Sequence, residues 1–294
     1  MTKTLENPSK NVEVFFTIND SYAKYLSVTL VSILKNARPD EHYNFYVLTS
    51  DISEENKNKL NSIKTNTSYE IEFINIQKDL FDVVAESSQK HISKETNYRF
   101  LISSIKPNMD KCIFLDADLV VEHSLWDLMN QDIENYSLAA VNDIPYTIKG
   151  WLDETILPKK YTYKNTGVIL VNLKKWRSDN IENKLFENSE KYADDFLYPD
   201  QDALNVTLAS DIKTLKDEWN VFPCFSLYKE QTFDKPKVIH WAGYIKPWNR
   251  IFCHSSHHYW LYAFLSPHFK DLVKDIVCNI KLYRVFRILK LIYS

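Results

Sequence analysis

Glycine is scarce in this sequence. Only three of the 294 residues are glycine, and Gly150, Gly167 and Gly243 stand far apart. This spacing excludes the G-x-G-x-x-G fingerprint and the Walker loop, in which closely spaced glycines let backbone amides cradle a phosphate. If the protein binds a phosphorylated ligand, a glycine-rich loop does not hold it.

Paired cysteines and long apolar runs are also missing. The four cysteines, Cys112, Cys224, Cys253 and Cys278, form no C-x-x-C pair. Their separation argues against a disulfide framework and fits a reducing compartment. No eighteen uncharged apolar residues follow one another, and the polar start MTKTLENPSKN lacks the apolar core of a signal peptide. We therefore expect a cytoplasmic protein.

Acidic residues are absent from the last part of the chain. Residues 276–294 carry only the cations Lys281, Arg284, Arg287 and Lys290, so a net charge of −3 for the whole chain leaves −7 on everything before them. A nucleic-acid-binding fold would carry clustered basic residues on its body. We therefore expect no nucleic-acid partner.

Strand-like and helix-like patterns alternate along the first half of the chain. Runs of β-branched and aromatic residues predict strands, and apolar residues at helical spacing predict helices. The predicted strands cover residues 12–17, 44–50, 69–76, 112–121, 137–142, 166–173 and 237–241, and the predicted helices cover 22–37, a segment from 53, 94–105, 180–192 and 201–209. This order predicts an α/β fold with a mostly parallel, mixed sheet flanked by helices, and ligands beyond the carboxyl ends of its strands. We expect one domain over residues 1–250 and a histidine-rich segment with a basic C-terminal helix over 251–294.

Two carboxylates follow an apolar run in the fourth predicted strand. In CIFLDADLVV (112–121), Asp116 and Asp118 would be costly to bury without a compensating charge. One interpretation is a solvated turn at a strand end. Another is a metal site, because residues i and i+2 of a strand point to the same side and can share one hard divalent cation. The stretch also fits the D-x-D-x-[TV] pattern of haloacid-dehalogenase-type phosphatases, although their later Gly-Asp pair is absent from this chain.

Four motifs that occur in a fixed order along the chain favour the metal-site interpretation. They are FLDADLVV (114–121), NTGVILVNLKKWR (165–177), PDQDALN (199–205) and HWAGYIKPW (240–248). Together with TINDSY (17–22) and HISKETNYRF (91–100), they closely resemble glycosyltransferase family 8 over residues 12–250. The resemblance implies a GT-A fold, a D-x-D metal site and retaining transfer of a hexose from a UDP-sugar.

The resemblance assigns the metal ligands to Asp116, Asp118 and His240. Taken alone, His240 would be a hydrogen-bonded histidine at a strand end. An imidazole beside two carboxylates favours Mn²⁺ over Mg²⁺, because Mn²⁺ accepts nitrogen more readily. The cation would bridge diphosphate oxygens and offset the charge that develops as UDP departs.

The resemblance also implies a set of residues that bind the UDP-sugar donor. Thr17 and Asn19 would bond uracil, Tyr22 would stack on it, and Lys246 would contact the diphosphate. Many relatives carry Asp where Asn19 stands, although an amide oxygen can still accept from the ring N–H. Asp116 and Gly243 complete this part of the set.

Five further positions would surround the donor sugar, namely Arg99, Asp143, Asn165, Asp200 and Gln201. Singly, each could be a helix cap or a turn residue. Asp143, Asp200 and Gln201 are the expected catalytic residues, with the two acids bonding sugar hydroxyls and Gln201 near the anomeric carbon. Because an amide is a poor nucleophile, we expect a front-face reaction in which the departing phosphate oxygen helps to deprotonate the acceptor.

The region after residue 250 leaves more alternatives open. Cys253, His254, His257 and His258 could suggest zinc, but the spacing fits no standard finger, so aromatic packing or contact with the acceptor is favoured. The four basic residues of the tail would spread over about half the circumference of a helix. That helix either packs on the body with its cations in water or lies on anionic lipid.

The resemblance implies a metal-dependent, retaining hexosyltransferase. It would move galactose or glucose from a UDP-sugar, through an α linkage, to a bacterial surface glycan of the lipopolysaccharide or lipooligosaccharide type. The acceptor could be a lipid-linked or a soluble glycan, and the enzyme would act at the inner face of the cytoplasmic membrane. A protein-directed hexosyltransferase of the same family is a close alternative, and a phosphatase or a non-catalytic sugar-binding module is a distant one.

Overall fold

The computed structural model describes residues 10–77, 94–144, 150–223 and 235–277. Its strands are β1 (Lys10–Thr17), β2 (Glu41–Thr49), β3 (Ser68–Asn75), β4 (Lys111–Leu115), β5 (Leu119–Val121), β6 (Leu138–Asn142), β7 (Lys164–Asn172), β8 (Ile212–Thr214) and β9 (Val238–His240). Its α-helices are α1 (Ala23–Asn36), α2 (Glu54–Asn61), α3 (Ile102–Ile105), α4 (Trp126–Met129), α5 (Leu173–Ser178), α6 (Ile181–Lys191), α7 (Pro199–Leu208) and α8 (Ser256–Leu265). Short 3-10 helices cover Asp20–Tyr22, Lys94–Leu101 and Asp217–Trp219, and residues 269–277 are also helical.

The main sheet has seven strands in the order β3-β2-β1-β4-β7-β6-β8. Strands β1 to β4 are parallel to one another, β7 runs antiparallel to both of its neighbours, and β8 is parallel to β6. The mostly parallel, mixed sheet predicted from the sequence is therefore confirmed. The short edge strand β8 was not predicted, because three residues are too few to show an alternating pattern.

The two faces of the sheet are covered by separate hydrophobic clusters. In β1, Val12, Val14 and Phe16 belong to one cluster, whereas Phe15 belongs to the other. This alternation follows from the two-residue period of a strand. Helix α1 packs on the first face, and α7 contributes Leu204 to the second. Because apolar side chains cover both faces of the sheet, polar side chains can gather at the carboxyl ends of β1 and β4.

The fourth predicted strand, residues 112–121, is in fact two strands. Strand β4 ends at Leu115, and β5 begins at Leu119 in a separate two-stranded sheet with β9. The chain leaves the main sheet after the Asp116 amide has donated to the Gly167 carbonyl at 2.9 Å. The aspartates therefore lie at a crossing point between two sheets. Because Leu119 pairs with His240, the same crossing brings the histidine beside them.

The histidine-rich segment after residue 250 contains helix α8, which was not predicted. Helix α8 packs on α1 and β5, where the Asn36 amide donates to the Tyr262 hydroxyl at 2.8 Å and Glu122 contacts Tyr262 and His258. The Ser27 and Ser266 hydroxyls bond at 2.7 Å. Aromatic and polar packing thus accounts for much of this segment. The domain boundary at residue 250 stays a prediction.

Lys281, Arg284, Arg287 and Lys290 lie outside the described residues, as do Cys224 and Cys278. Within the described ranges, no helix combines the length and the apolar character that crossing a membrane requires.

Candidate active site

Asp116, Asp118 and His240 converge at the crossing between the two sheets. The His240 Nε2 atom lies 3.1 Å from Asp118 Oδ1 and 3.7 Å from Asp116 Oδ2. One possible ligand atom from each residue lies within 4.8 Å of the other two. In the described part of the chain, no other group of three or more His, Cys, Asp or Glu side chains lies close enough together to hold a metal ion. It supplies two oxygen ligands and one nitrogen ligand on one side, a set suited to a divalent cation.

Two features of the cluster fit a bound cation. Asp118 Oδ1 is buried and has no hydrogen-bond partner, although the imidazole nitrogen is close to it. A buried carboxylate oxygen without a donor is costly unless something else compensates its charge. The second feature is Gly167, where an added Cβ would lie 2.3 Å from His240 Cε1 and 2.7 Å from Asp116 Oδ2. These residues therefore fit a metal ion, and any side chain at position 167 would crowd His240 and Asp116.

Lys246 provides the positive charge next to this cluster. Its side chain is almost fully buried, and its ammonium group pairs with Asp118 Oδ2 and donates to the Trp241 carbonyl at 2.6 Å. Burial by itself would raise the pKa of Asp118, but neighbouring positive charge, chiefly that of the Lys246 ammonium group, lowers that pKa below its usual value. Gly243, at φ +85°, allows the left-handed backbone conformation in the loop between His240 and Lys246.

Arg99 links the D-x-D stretch to helix α7. One guanidinium nitrogen, Nη2, lies 3.0 Å from Asp116 Oδ1 and 3.1 Å from Asp200 Oδ2. The Nη1 atom donates to the Thr166 carbonyl at 2.9 Å, and the group lies over the Phe114 ring. The side chain is 2% exposed, so this buried charge is stabilised by the two carboxylates and by its hydrogen bonds.

A second group of polar side chains lies beside Arg99. The Asn165 amide donates to Asp143 Oδ2 at 3.0 Å, and the Gln201 amide approaches the same oxygen at 3.4 Å. Gln201 Oε1 accepts from the Thr166 amide at 3.0 Å, which fixes the orientation of its carboxamide. Strands β6 and β7 and helix α7 therefore bring three predicted sugar-binding residues into one hydrogen-bonded group.

The predicted uracil-binding residues follow the carboxyl end of β1. Thr17 is the last residue of this strand, and Asn19 uses its side-chain oxygen to accept from the Tyr22 amide at 3.2 Å and from the Ser21 hydroxyl at 2.7 Å. Asn19 thus caps the short helix that carries Tyr22. Burial raises the pKa of Tyr22, and the negative charges of Asp118 and Asp116 add to this increase.

The structure thus connects most of the residues that the sequence singled out. Contacts join the three metal-site residues to Lys246 and Arg99, and join Asp143, Asn165, Asp200 and Gln201 to the same region. Sequence reasoning missed Asn220, a fully buried residue that contacts His240 and Asn165. No spacing rule relates position 220 to the motifs, so only the fold could reveal it.

Comparison with known proteins shows which class of enzyme this chain resembles. The chain matches the model of Glycosyl transferase family 8 over residues 13–252. It is 32% identical over 256 residues to a Haemophilus influenzae protein that carries only the general name of a glycosyltransferase, across 85% of this chain and 77% of that one. It is 24% identical over 281 residues to the lipopolysaccharide 1,2-glucosyltransferase of Escherichia coli K12, across 90% and 81% of the two chains.

A solved structure agrees with the sequence relatives. The galactosyltransferase LgtC, in complex with donor and acceptor sugar analogues, superposes with a TM-score of 0.77 at 28% identity, over 87% of this chain and 95% of its own. The fold is therefore the GT-A fold of glycosyltransferases. The chain belongs to glycosyltransferase family 8. Because the chain belongs to this family, the interpretation of the D-x-D stretch as a phosphatase motif is excluded.

Proposed function

We propose that this protein is a metal-dependent, retaining hexosyltransferase that uses UDP-galactose or UDP-glucose. The observation that carries the proposal is the position of Asp118, between His240 on one side and the Lys246 ammonium group on the other. A carboxylate–imidazole cation site next to a buried lysine suits a diphosphate, which needs charge compensation on more than one oxygen. A bound Mn²⁺ would supply Lewis-acid stabilisation of the departing UDP.

The side chains around that site have roles that follow from their contacts. Lys246 pairs with Asp118, and a diphosphate would offer its ammonium group a second anionic partner. Arg99 holds Asp116 and Asp200 in place. Asp143 and Asp200 would accept hydrogen bonds from hydroxyls of the donor sugar. Tyr22 would stack on the uracil ring.

Gln201 bears on the stereochemistry of the reaction. Its oxygen accepts from the Thr166 amide and its nitrogen faces Asp143, so the carboxamide is oriented by the protein. Because an amide is a weak nucleophile, we assign Gln201 a positioning and electrostatic role near the anomeric carbon. The acceptor hydroxyl would attack from the face that UDP leaves and pass its proton to the departing phosphate oxygen, which gives an α product.

The proposed acceptor is a bacterial surface glycan. This part rests on the lipopolysaccharide 1,2-glucosyltransferase relative and on the galactosyltransferase neighbour. We further propose that this protein is a cytoplasmic enzyme and that it works at an anionic membrane surface. The support is a set of exposed apolar side chains on α8 and on the helical residues 269–277, which precede the four basic residues of the tail in the sequence. They are Leu261, Phe264, Leu265, Val273 and Val277.

A donor panel tests the proposal directly. Hydrolysis and transfer would be measured with UDP-galactose, UDP-glucose, UDP-N-acetylglucosamine and GDP-mannose, with Mn²⁺ or with a chelator, and a general phosphatase substrate would serve as the control. We expect turnover of one or both UDP-hexoses that requires the metal. Turnover of the phosphatase substrate alone, or full activity in the chelator, would refute the proposal.

A further inference from the structure

Asn220 joins the two halves of the candidate site. It follows the 3-10 helix Asp217–Trp219, its side chain is fully buried, and none of the sequence motifs includes it. Its side chain bonds His240 on one side and Asn165 on the other. A buried asparagine with both ends of its amide engaged has a fixed orientation, and that orientation can be worked out from its partners.

The direction of each hydrogen bond follows from one backbone amide. The Gly167 N–H can only donate, so the Asn165 atom that it contacts at 3.1 Å is the amide oxygen. The other end of Asn165 is then the amino group, which donates to Asp143. Asn220 also contacts the Asn165 oxygen, at 2.8 Å, and must therefore donate its own amino group there.

The same reasoning sets the tautomer of His240. Since the Asn220 amino group faces Asn165, the Asn220 oxygen faces His240 Nδ1 at 3.0 Å. An amide oxygen only accepts, so Nδ1 carries the proton that is donated. In the neutral ring the Nε2 lone pair is then free, and Nε2 lies 3.1 Å from a buried oxygen of Asp118 that has no hydrogen bond.

We infer that Asn220 is a positioning residue that holds the His240 imidazole in the Nδ1-protonated form and directs the Nε2 lone pair to the metal position. A hydrogen-bond acceptor behind a ligating histidine fixes the ring and raises its basicity as a ligand. Because the chain of bonds continues through Asn165 to Asp143, it also ties the metal position to the donor-sugar group. This inference rests on the proposed metal role of His240.

The first test reads the tautomer in the metal-free native protein. Long-range ¹H–¹⁵N correlation spectra at alkaline pH give the ring-nitrogen shifts of each neutral histidine, and the His240→Gln variant identifies the signals of His240. We expect the pattern of an Nδ1–H ring. An Nε2–H pattern for His240 would overturn the inference, whatever the donor or the reaction proves to be.

The second test uses matched variants and measures Mn²⁺ binding without any sugar nucleotide, by calorimetry. Asn220→Leu keeps the size of the side chain but offers no acceptor, so the Mn²⁺ Kd should rise about 10- to 100-fold, as for other partners of metal ligands. Asn220→Asp restores an acceptor for Nδ1 but cannot donate to Asn165, so its Mn²⁺ affinity should lie between those of Asn220→Leu and the native chain. Asn205→Leu makes the same change at another buried asparagine, which bonds the Lys164 backbone, and should lower the melting temperature without weakening Mn²⁺ binding.

The outcomes separate this inference from the proposed function. If Mn²⁺ affinity falls in Asn220→Leu and not in Asn205→Leu, the result supports the positioning role. Equal Mn²⁺ affinity in the native chain and in all three variants overturns it. If Asn220→Leu does not fold, the spectra of the native chain still decide, because an Nε2–H ring would contradict the inference. Absence of Mn²⁺ binding by the native chain would instead refute the metal role itself.

Discussion

Gly167 on β7 lies directly against the imidazole of His240 on β9, close enough that a methyl group at position 167 would stand 2.3 Å from Cε1. Its φ angle lies outside the left-handed region. The glycine is therefore required by space and not by backbone conformation. The two residues belong to different sheets, so this contact sets how closely the main sheet approaches the metal position.

A substitution at Gly167 should therefore act on the metal site. In Gly167→Ala the new methyl group must displace His240 or Asp116, and overpacking of this kind costs about 1–3 kcal/mol of stability. We expect Mn²⁺ affinity to fall by about tenfold or more, as when a partner of a ligand is lost. Gly243→Ala is the matched control, since a Cβ there meets nothing within 4 Å and only the positive φ angle is strained. Equal Mn²⁺ affinity in both variants would contradict the steric argument.

Asp118→Asn should separate folding from metal use. The substitution keeps the size of the side chain but removes one ligand charge and the partner of Lys246. We expect UDP-sugar turnover to fall by more than about 100-fold, beyond the usual effect of an outer-shell partner, and UDP binding to lose its Mn²⁺ dependence while the circular dichroism spectrum stays native. Asp110→Asn, an exposed carboxylate that pairs with Arg177, should retain native activity. Native turnover by the Asp118 variant would exclude Asp118 as a ligand.

Gln201→Ala should slow the transfer without changing its stereochemistry. The variant loses the bond to the Thr166 amide and the contact with Asp143, both of which orient groups around the proposed anomeric position. If Gln201 is not the nucleophile, the native enzyme and the variant should both form the α anomer. The coupling constant of the product's anomeric proton in an NMR spectrum gives the answer, and a β product from either protein would refute retention.

Asp202 should give the folded state a component of stability that grows on acidification. Its carboxylate accepts from Trp151 Nε1, the Tyr163 hydroxyl and the Leu197 and Tyr198 amides, and burial raises its pKa to about 6 from 3.8. Between these two pKa values the folded chain holds a proton that the unfolded chain has released, so a fall in pH favours folding.

The measurement for Asp202 is urea unfolding of the native chain and of Asp202→Asn at pH 7.5 and pH 5. The stability of the native chain relative to the variant should increase by about 1 kcal/mol at the lower pH, because the asparagine cannot take up the proton. A relative stability that is unchanged, or that decreases at pH 5, would show that the pKa of this carboxyl is not raised.

Removal of residues 276–294 should affect membrane binding more than donor chemistry. The deleted cations could each contribute about 1 kcal/mol near an anionic surface, and this part should weaken as salt screens it. We expect the truncated chain to be released from anionic liposomes in co-sedimentation, while hydrolysis of the UDP-sugar stays nearly native. A truncated chain that no longer folds would favour a packed helix, and equal sedimentation of both chains would remove the membrane hypothesis.

Much of this protein could be predicted from its sequence. Alternating patterns in β1 and β3 and the helical spacing in α1 are local features, so the order of elements and the fold class could be inferred without coordinates. The D-x-D stretch and the three motifs after it indicated the family and supplied the predicted metal ligands for the same reason, since each motif is a short stretch of adjacent residues.

What only the tertiary structure decided is how separate segments meet. The run from 112 to 121 looks like one strand because its apolar residues are continuous, yet it changes sheets at the aspartates when β5 pairs with β9. Likewise, Asn220 lies 20 positions before His240 in a stretch with no recognisable motif. A hydrogen bond of 3 Å between such residues depends on how the sheets pack, and packing of distant segments leaves no periodic trace in the sequence.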